Sequence, residues 1–526
     1  MEELFTIKEA SQWATEYLNK KVTPSNITYL IQYGKVKKYR NNGITTINKK
    51  DLINYYKSFN GRRETDWKKK LGDDLNWSLS FDWCTEKDTT KHVHRLHPYK
   101  GKFIPQLVEY FLDDHIDDFK KEVYFNKGDI ILDPFSGSGT TMVQANELGM
   151  HAIGIDISAF NTLIANVKLE KVNFQDLNNE ISRITNNLKD FIFQKDNLKF
   201  ENELLRELNI FNKKYFPSPE FKIQVSQKQI DINLYAPEKE KQFKPIFNDL
   251  VNKYNIKIKQ DEVKNNFLGK WYLKPIKDEI SFVFEQLKEI KNPTTKKIIT
   301  VILSRTIRSC RATTHADLGT LKEPVTQPYY CRKHGKICKP LFSILSWWER
   351  YSSDTIKRLV EYSNLKTQTF QIGLQADARN VDIFSKLKEK NKTFGELAEK
   401  QKIKGIFSSP PYVGLIDYHE QHAYSYDLFG FERNDELEIG PLYKGKGNKA
   451  KKSYIEGIAT VLNNSKKYLQ DDYDIFLVAN DNYGLYPKIA ELAGMQIVNK
   501  YKRPVLNRVE KSRNAYSEII FHLKAL

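Results

Sequence analysis

An apolar strand that leads straight into a glycine-rich turn and then a helix constrains the fold of this chain more than any other feature. Residues 130–132 are apolar and are followed by Asp133. The next six residues contain two glycines, and residues 142–148 then show a helical pattern. Glycine lets a backbone approach a ligand closely, and a helix N-terminus offers free N–H groups. This combination predicts an α/β fold with a ligand-binding turn at the end of a strand.

Two common nucleotide-binding motifs do not fit this turn. A phosphate-binding P-loop needs a Lys followed by Ser or Thr after its last glycine, whereas Thr140 and Thr141 follow Gly139. A dinucleotide-binding fingerprint needs a third glycine at position 142, which is Met142. Both of these motifs are therefore disfavoured.

A second strand ends in an acidic residue at the spacing that α/β folds use to bind a ribose. Residues 151–155 form a mostly apolar run, and Asp156 follows it. A ribose-binding carboxylate is expected about 20 residues after the glycine turn. We predict that Asp156 binds a ribose, and the alternative is that it only caps the next helix at Ser158.

Residues 133–140 resemble the first motif of the amino-group DNA methyltransferases, which is written Asp-Pro-Phe-x-Gly-x-Gly-Thr. The resemblance implies a Rossmann-like methyltransferase sheet that binds S-adenosyl-L-methionine as its cofactor. The motif residues expected to contact this cofactor are Asp133, Phe135, Gly137, Gly139 and Thr140, and Asp156 is expected to hold the ribose.

Two further segments are similar to the cofactor site of the same family. Residues 97–107 resemble the segment that lies against the methionine end of the cofactor, and a lone basic loop is the alternative. The contacts expected from this segment come from Tyr99, Gly101 and Phe103. Asp377 matches the strand-end Asp that contacts the adenine amino group, although Ala376 stands where the family usually has glycine.

A short apolar strand over residues 404–407 ends in Ser408-Ser409-Pro410-Pro411-Tyr412. Consecutive prolines make a rigid corner that lacks N–H groups and exposes carbonyls. An exocyclic amine is a poor nucleophile because its lone pair is delocalised into the base. The Ser409 hydroxyl and the Pro410 carbonyl would accept its two hydrogens and so direct the lone pair at a methyl donor. We predict that the catalytic residues are Ser409, Pro410, Pro411 and Tyr412, with a flipped-out base stacked on Tyr412.

The residue at position 409 bears on the target base. Ser409 resembles the cytosine-N4 branch of the family, whereas adenine-N6 enzymes usually carry Asp or Asn there. Methylation at carbon 5 of cytosine needs a nucleophilic Cys after a Pro, and the sequence has no Pro-Cys pair. We expect a site-specific methyltransferase that acts on cytosine N4 in duplex DNA by base flipping and direct transfer. The alternatives are an N6-adenine DNA methyltransferase, an RNA or protein methyltransferase, and a DNA-binding regulator with a degenerate methylase core.

The strand-and-helix pattern occurs twice, over residues 91–170 and 371–526. We interpret these as the cofactor-binding and catalytic halves of one α/β methyltransferase domain. Residues 171–370 between them are lysine-rich and mainly helical in pattern. They are expected to be a large inserted target-recognition domain, because the order of the motifs resembles family members with that arrangement.

Residues 1–60 resemble a small winged helix-turn-helix unit that binds DNA, with a turn at Gly34 and a hairpin turn over residues 41–43. A helical packing or dimerisation module is the alternative. Residues 61–90 are expected to be a linker.

The charge of the chain indicates a polyanionic partner. The chain has 84 Lys and Arg against 66 Asp and Glu, a net charge of +18, and residues 1–70 alone hold 15 basic and 7 acidic residues. Basic surface releases counterions when it binds phosphates, so double-stranded DNA is the expected partner. The candidate DNA contacts are Arg305, Arg308 and Arg311 on one helix face, and Lys444, Lys446 and Lys451 in a flexible basic loop over residues 443–452. A solvated basic face and a solvated loop are the alternatives.

The cysteines indicate a reducing cytoplasm. Cys84, Cys310, Cys331 and Cys338 are too few and too scattered for a disulfide framework. The spacing Cys331-x2-His334-x3-Cys338 supplies three possible zinc ligands, and Cys310 or His315 could supply a fourth. Spacing alone assigns no metal, and none is predicted.

The start of the chain is acidic and polar, and no apolar run is long enough to span a bilayer. Secretion and membrane insertion are therefore disfavoured. The chain shows no nuclease signature, so a cognate restriction endonuclease, if there is one, is expected to be a separate polypeptide.

Overall fold

The structure is a computed structural model that describes residues 3–18, 22–32, 36–41, 44–117, 119–259, 266–315, 321–506 and 515–526. The turn expected at Gly34 and most of the hairpin turn expected at residues 41–43 lie outside the described residues. The first unit contains, in chain order, β1 (Leu4–Thr6), α1 (Ile7–Tyr17), α2 (Pro24–Gln32), β2 (Tyr39–Asn41), β3 (Ile44–Asn48) and α3 (Lys49–Leu71). Its strands form an antiparallel sheet in the order β1–β3–β2.

This first unit has a hydrophobic core of its own. The Thr6 N–H donates to Glu9 Oε2 at 2.8 Å and the Glu9 N–H donates to Thr6 Oγ1 at 3.3 Å, a capping box that starts α1. The core residues are Ala10, Ala14, Ile27, Leu30, Val36, Ile47 and Leu52. Two helices beside a small sheet are compatible with the winged helix-turn-helix unit, which stays a prediction.

Residues 61–90 do not form the linker that the sequence suggested. Helix α3 continues to Leu71, so the expected boundary at residue 60 falls inside a helix. Leu79, Phe81 and Cys84 belong to the largest hydrophobic cluster of the protein. The linker prediction is wrong for this stretch because its apolar side chains are stabilised by burial in that core.

The remaining elements run from α4 to β12. The first group is α4 (Glu86–Thr89), α5 (Pro105–Leu112), β4 (Ile130–Asp133), α6 (Thr140–Glu147), β5 (His151–Asp156) and α7 (Ala159–Leu169). A mainly helical region follows with α8 (Phe174–Phe193), α9 (Asn197–Tyr215), α10 (Glu220–Ser226), α11 (Ile232–Lys253), α12 (Phe267–Trp271), α13 (Lys274–Lys288), α14 (Pro293–Ser309), β6 (Tyr329–Cys331), β7 (Lys336–Cys338) and α15 (Leu345–Ser363). The last group is β8 (Gln371–Gln375), α16 (Ile383–Lys390), α17 (Lys392–Gln401), β9 (Ile403–Ser408), α18 (Ala423–Phe429), α19 (Asn448–Lys466), β10 (Leu469–Ala479), α20 (Tyr486–Leu492), β11 (Met495–Pro504) and β12 (Ser517–Ala525).

Within the described residues, seven strands form the central sheet in the order β11–β12–β10–β9–β4–β5–β8. Neighbouring strands from β10 to β8 are parallel, whereas β12 is antiparallel to both β10 and β11. The prediction of an α/β fold is confirmed, and the mostly parallel sheet is compatible with the expected Rossmann-like methyltransferase sheet. The order of the strands reverses between β4 and β9, and ligands of open α/β sheets bind beyond the carboxyl ends of the strands at such a point.

The helical region between α7 and β8 packs into the core of the sheet. Helix α14 is buried nearly all round over residues 298–307, as expected for a helix inside a larger core. Its Ser304 hydroxyl lies 3.0 Å from His97 Nε2 and 2.7 Å from the Ser425 hydroxyl, which joins it to both halves of the sheet domain. Among the described residues, no helix has both the length and the apolar content needed to cross a membrane.

We expect Leu79→Ala to destabilise the protein by about 2–5 kcal/mol, because Leu79 is 0% exposed and its truncation leaves a cavity in the shared core. Leu234→Ala is the matched control, since Leu234 is 73% exposed on α11. Urea denaturation of the two variants and the wild type measures the difference. Equal midpoints for all three proteins would show that residues 72–84 do behave as a linker.

Candidate functional site

A cleft opens at the carboxyl ends of the central strands, where the order of the strands reverses. Its empty space, open solvent included, amounts to about 860 Å³. Side chains at the ends of four strands line it: Asp133 ends β4, Asp156 ends β5, Asp377 follows β8 and Ser409 follows β9. The predicted residues Tyr99, Gly101, Phe103, Phe135, Gly137, Thr140 and Pro411 line it as well.

Asp133 joins the ends of β4 and β9. It is 1% exposed, and its Oδ1 accepts a hydrogen bond from the Ser408 hydroxyl at 2.5 Å and one from the Phe135 N–H at 3.2 Å. Burial raises the pKa of Asp133 to about 6, although the hydrogen bonds from the Ser408 hydroxyl and the Phe135 N–H oppose this shift. The carboxyl group is therefore fixed in place and easily protonated.

Asp156 is held on both of its oxygens. Oδ2 accepts the Gly137 N–H at 3.0 Å, and Oδ1 accepts the Ser158 N–H at 2.8 Å and the Asn161 side-chain amide at 3.2 Å. The cap of α7 is Ser158 itself, whose hydroxyl accepts the Asn161 N–H at 3.1 Å. Burial raises the pKa of Asp156 to about 6. Asp156 therefore faces the cleft and orders the glycine turn, rather than serving as the helix cap.

The two positions of the turn require glycine for different structural reasons. Gly137 has φ +46°, and a Cβ there would lie 2.8 Å from the Tyr99 hydroxyl, so only glycine lets Tyr99 close over the turn. Gly139 has φ +75°, and a Cβ there would lie 2.8 Å from Cβ of Ala165 on α7. Gly139 is thus required for packing α6 against α7 and lies behind the residues that line the cleft.

The segment before the glycine turn lies across the cleft as the sequence suggested. Tyr99 stacks on Tyr418 with ring centroids 6.2 Å apart, and Phe103 meets Phe407 edge-on at 5.5 Å. Lys102 is partly buried, and burial lowers its pKa to about 8 while it donates to the His94 carbonyl at 2.6 Å. The segment is therefore an aromatic wall and not an isolated basic loop.

Asp377 also lines the cleft, but its carboxylate is already paired. Arg379 donates from Nε to Oδ1 at 2.9 Å and from Nη2 to Oδ2 at 2.7 Å. Each carboxylate oxygen can accept more than one hydrogen bond, so the pairing leaves room for a ligand amino group. The expected contact with adenine stays a prediction.

The Ser-Pro-Pro-Tyr corner has a defined hydrogen-bond arrangement. The Ser409 hydroxyl donates its one hydrogen to the Val478 carbonyl at 3.0 Å, which leaves its lone pairs as acceptors. Ser409 and Pro411 line the cleft, whereas Pro410 is buried. The Tyr412 hydroxyl donates to Glu518 Oε1 at 3.1 Å, and burial raises the pKa of this hydroxyl.

The three predicted arginines do not form one exposed helix face as their spacing suggested, since α14 ends at Ser309 and Arg311 lies beyond it. Arg305 is 5% exposed, donates to Asp354 Oδ2 at 2.6 Å and lies over the Tyr351 ring. Arg311 is 9% exposed and donates from Nε to the Arg308 carbonyl at 2.8 Å. Two of the three guanidinium groups are therefore inside the protein, because α14 is surrounded by other helices. Arg308 keeps partial exposure.

The flexible basic loop expected over residues 443–452 extends only to residue 447, because α19 begins at Asn448. Lys444 and Lys446 are exposed, and Lys451 lies 4.0 Å from the centroid of the Tyr483 ring. The loop is attached to the segment after the catalytic corner, where the Tyr443 N–H donates to Asp417 Oδ1 at 3.0 Å. The three lysines thus lie on segments next to the Ser-Pro-Pro-Tyr corner.

The cleft also contains an ionisable pair that no motif indicated. His419 is fully buried, and its Nδ1 lies 2.5 Å from Oε1 of Glu438, which also accepts the His419 N–H at 2.8 Å. No sequence pattern pairs His419 with Glu438, which lies 19 residues further on. Only the folding of that segment over the cleft brings the pair together.

Comparison with known proteins gives a consistent picture. The DNA methylase family of N6 and N4 methyltransferases matches residues 5–167. The type II methyltransferase M.MjaII of Methanocaldococcus jannaschii is 48% identical over 524 residues, which cover 99% of this chain and 97% of that protein. M.BsoBI of Geobacillus stearothermophilus, also a type II methyltransferase, is 39% identical over 72 residues, 14% of this chain and 13% of its own. The type II methyltransferase M.MvaI of Kocuria varians is 28% identical over 137 residues, 25% of this chain and 28% of its own.

Asp133→Asn should change how stability depends on pH. The folded-state pKa of about 6 exceeds the ordinary 3.8, so the folded protein binds this proton more tightly than the unfolded chain does. Stability is therefore lost as the pH rises from about 4 through about 6. We expect the variant to gain up to about 3 kcal/mol relative to the wild type across that window, measured by urea denaturation. The exposed Asp73→Asn is the control, and a stability difference that does not change with pH would contradict the assignment.

Proposed function

This chain belongs to the amino-group DNA methyltransferases of restriction–modification type, and on that premise we propose that it transfers a methyl group from S-adenosyl-L-methionine to N4 of a cytosine in duplex DNA. One observation carries the choice of base. The Ser409 hydroxyl uses its hydrogen on the Val478 carbonyl and so presents only lone pairs toward the cleft. Such an acceptor can hold an amine hydrogen of either base, and the choice of cytosine rests on serine at this position, which resembles the cytosine-N4 branch of the family.

The chemistry of the cleft supports this cofactor. Asp133, Asp156 and Glu438 bring three carboxyl groups into one buried site, and burial raises the pKa of the first two to about 6. A ligand with a positive charge would stabilise their ionised forms, so the site favours a cation. When bound, the cofactor supplies an electrophilic methyl group on a sulfonium. We propose that Asp156 accepts hydrogen bonds from its ribose, Asp377 from its adenine amino group, and Tyr99 and Phe103 enclose its methionine end.

The catalytic corner would act by orientation. Ser409 Oγ and the Pro410 carbonyl accept the two hydrogens of the target amine and direct its lone pair toward the methyl donor. A base inside a duplex cannot reach this corner, so the reaction requires base flipping. The ring of Tyr412 offers the stacking surface, and its hydrogen bond to Glu518 keeps that ring in one position.

The DNA would lie across the basic segments next to the corner. Lys444, Lys446 and Lys451 are close to the catalytic side, and Arg308 is the one arginine of its set with partial exposure. We propose that residues 171–370 read the target sequence and that the first unit adds affinity for the DNA backbone. The cytoplasm as its location and a separate cognate restriction endonuclease as its partner follow from the same proposal.

Nucleoside mass spectrometry of DNA treated with the protein and S-adenosyl-L-methionine should detect N4-methylcytosine. Tyr412→Ala should lower kcat/KM by about 5- to 150-fold, since base stacking is worth about 1–3 kcal/mol. Ser409→Ala should slow methyl transfer to a similar extent, because one amine hydrogen is left without an acceptor.

The controls separate the two halves of the site. Tyr412→Phe keeps the ring and should stay close to wild-type activity, and both corner variants should bind S-adenosylhomocysteine normally in calorimetric titrations. Asp156→Ala should instead weaken the binding of S-adenosylhomocysteine, with a loss of about 1.5–3 kcal/mol in binding free energy, while its affinity for DNA stays unchanged. Detection of N6-methyladenine would make the cytosine assignment wrong, and normal turnover by Tyr412→Ala would remove the corner from the catalytic site.

Removal of residues 1–71 should weaken DNA binding and reduce its salt dependence. This segment holds 15 basic and 7 acidic residues, and its hydrophobic core is separate from the other clusters, so the rest of the protein should remain folded. We expect a shallower slope of log affinity against log salt, with kcat at saturating DNA largely retained. A full-length variant with Lys68, Lys69 and Lys70 changed to Gln should give an intermediate slope. Identical slopes for all three proteins would show that the first unit does not contact phosphates.

A further inference from the structure

Two histidines and two cysteines outside the cleft converge on one point at the surface. Cys331 ends β6, His334 lies in the turn that follows, Cys338 ends β7, and His315 lies in the segment after α14. Each offers one donor atom, and the four atoms all lie within 4.8 Å of one another. The imidazoles of His315 and His334 are exposed, so an ion can reach the cluster from solvent.

The spacing of the donor atoms suits a small tetrahedral ion. Zinc bound by two sulfurs at about 2.3 Å and two nitrogens at about 2.0–2.1 Å separates its ligand atoms by about 3.3–3.8 Å. His315 Nδ1 lies 3.6 Å from Cys331 Sγ, and His334 Nδ1 lies 3.3 Å from Cys338 Sγ. The two histidine rings are 4.5 Å apart between centroids. Small side-chain rotations are enough to place all four atoms on one ion.

A disulfide explains the cluster less well. In the β6–β7 pair, Cys331 lies opposite Lys336 and Cys338 lies opposite Tyr329, so the two cysteines are not direct partners across the hairpin. A disulfide would also give no role to either histidine. Cys310, the other candidate for a fourth ligand, is buried at the end of α14 and is not part of the cluster.

We propose that His315, Cys331, His334 and Cys338 bind one zinc ion. Two thiolates and two imidazoles are a donor set that selects zinc over magnesium or calcium. Because four protein ligands complete a tetrahedron and leave no open position, the site is structural rather than catalytic. Thiolates are the zinc-binding form of cysteine, so metal binding releases the two thiol protons to solvent.

The surroundings show what the ion holds together. Strands β6 and β7 have three residues each, and a two-stranded hairpin of that size is not stable alone. The Asn212 side chain on α9 pairs with both the N–H and the C=O of Ile337 at 2.9 Å, and the Tyr329 hydroxyl lies 2.8 Å from His315 Nδ1. Coordination by His315 Nδ1 would replace its contact with the Tyr329 hydroxyl, and the ion would link His315 in the segment after α14 to Cys331, His334 and Cys338 in the hairpin.

Metal analysis of the untagged wild-type protein, purified without chelators, tests the proposal directly. We expect about one zinc per chain by inductively coupled plasma mass spectrometry. Cobalt(II) bound in its place should show thiolate charge-transfer bands and tetrahedral d–d bands. Less than about a tenth of an ion per chain, together with no uptake of zinc in competition with a chromophoric chelator, would overturn the proposal. A Cys331–Cys338 disulfide found by non-reducing peptide mapping would overturn it as well.

Variants locate the ion on these four residues. Cys331→Ala and His334→Ala should reduce the zinc content to less than about a tenth of an ion per chain, whereas Cys338→His should retain the ion because imidazole is also a zinc ligand. Cys310→Ala is the matched control and should keep a full complement. Retention of zinc by Cys331→Ala, or its loss from Cys310→Ala with the fold intact by circular dichroism, would place the metal elsewhere.

Discussion

The hydrogen bond from the Ser408 hydroxyl to the Asp133 carboxyl joins the two strand ends on which the rest of the site depends. Strands β4 and β9 are neighbours in the sheet but lie far apart in the sequence, and the helical region is inserted between them. The bond brings the glycine turn, which follows Asp133, next to the proline corner, which follows Ser408. The proposed cofactor site and the proposed substrate site thereby share one wall. Thr141 strengthens the link, since its hydroxyl donates to the Phe407 carbonyl at 3.2 Å.

A second connection ties the Ser-Pro-Pro-Tyr corner to the stretch around Leu79. The Tyr412 hydroxyl donates to Glu518, Arg503 lies 3.3 Å from the same carboxylate, and the Arg503 Nε donates to the Leu79 carbonyl at 3.1 Å. Arg503 is 3% exposed, so removing Glu518 would leave a buried charge without its partner, which typically costs about 3–5 kcal/mol. The stretch around Leu79 is fixed against the sheet because the Leu79 carbonyl accepts a hydrogen bond from the buried Arg503 guanidinium.

Sequence patterns succeeded where the chemistry is local. The turn at Asp133 and the Ser409 corner each lie within a few residues of the strand that positions them, so a strand followed by glycines or prolines was enough to place both at one edge of the sheet. Tertiary pairing was not visible in the same way. Arg305 pairs with Asp354 on another helix. Arginines at every third position give the same sequence pattern whether the helix face is solvated or buried. No alternating pattern of buried and exposed residues marks β11, in which residues 496–500 are all exposed or partly exposed.

The distribution of charge links the two proposed ligands. The chain is basic overall, at +18, yet the cleft contains carboxyl groups at Asp133, Asp156 and Glu438. Both proposed ligands would approach the same edge of the sheet: S-adenosyl-L-methionine is a cation, and DNA is a polyanion. Burial confines the acidic groups to the cleft, whereas Lys444 and Lys446 remain in solvent beside it. Fields from exposed lysines are screened within about 8–10 Å at physiological salt, while those of the buried carboxyl groups are screened much less. An acidic cleft that favours a cation can therefore lie a short distance from lysines that favour a polyanion. A DNA methyltransferase requires both.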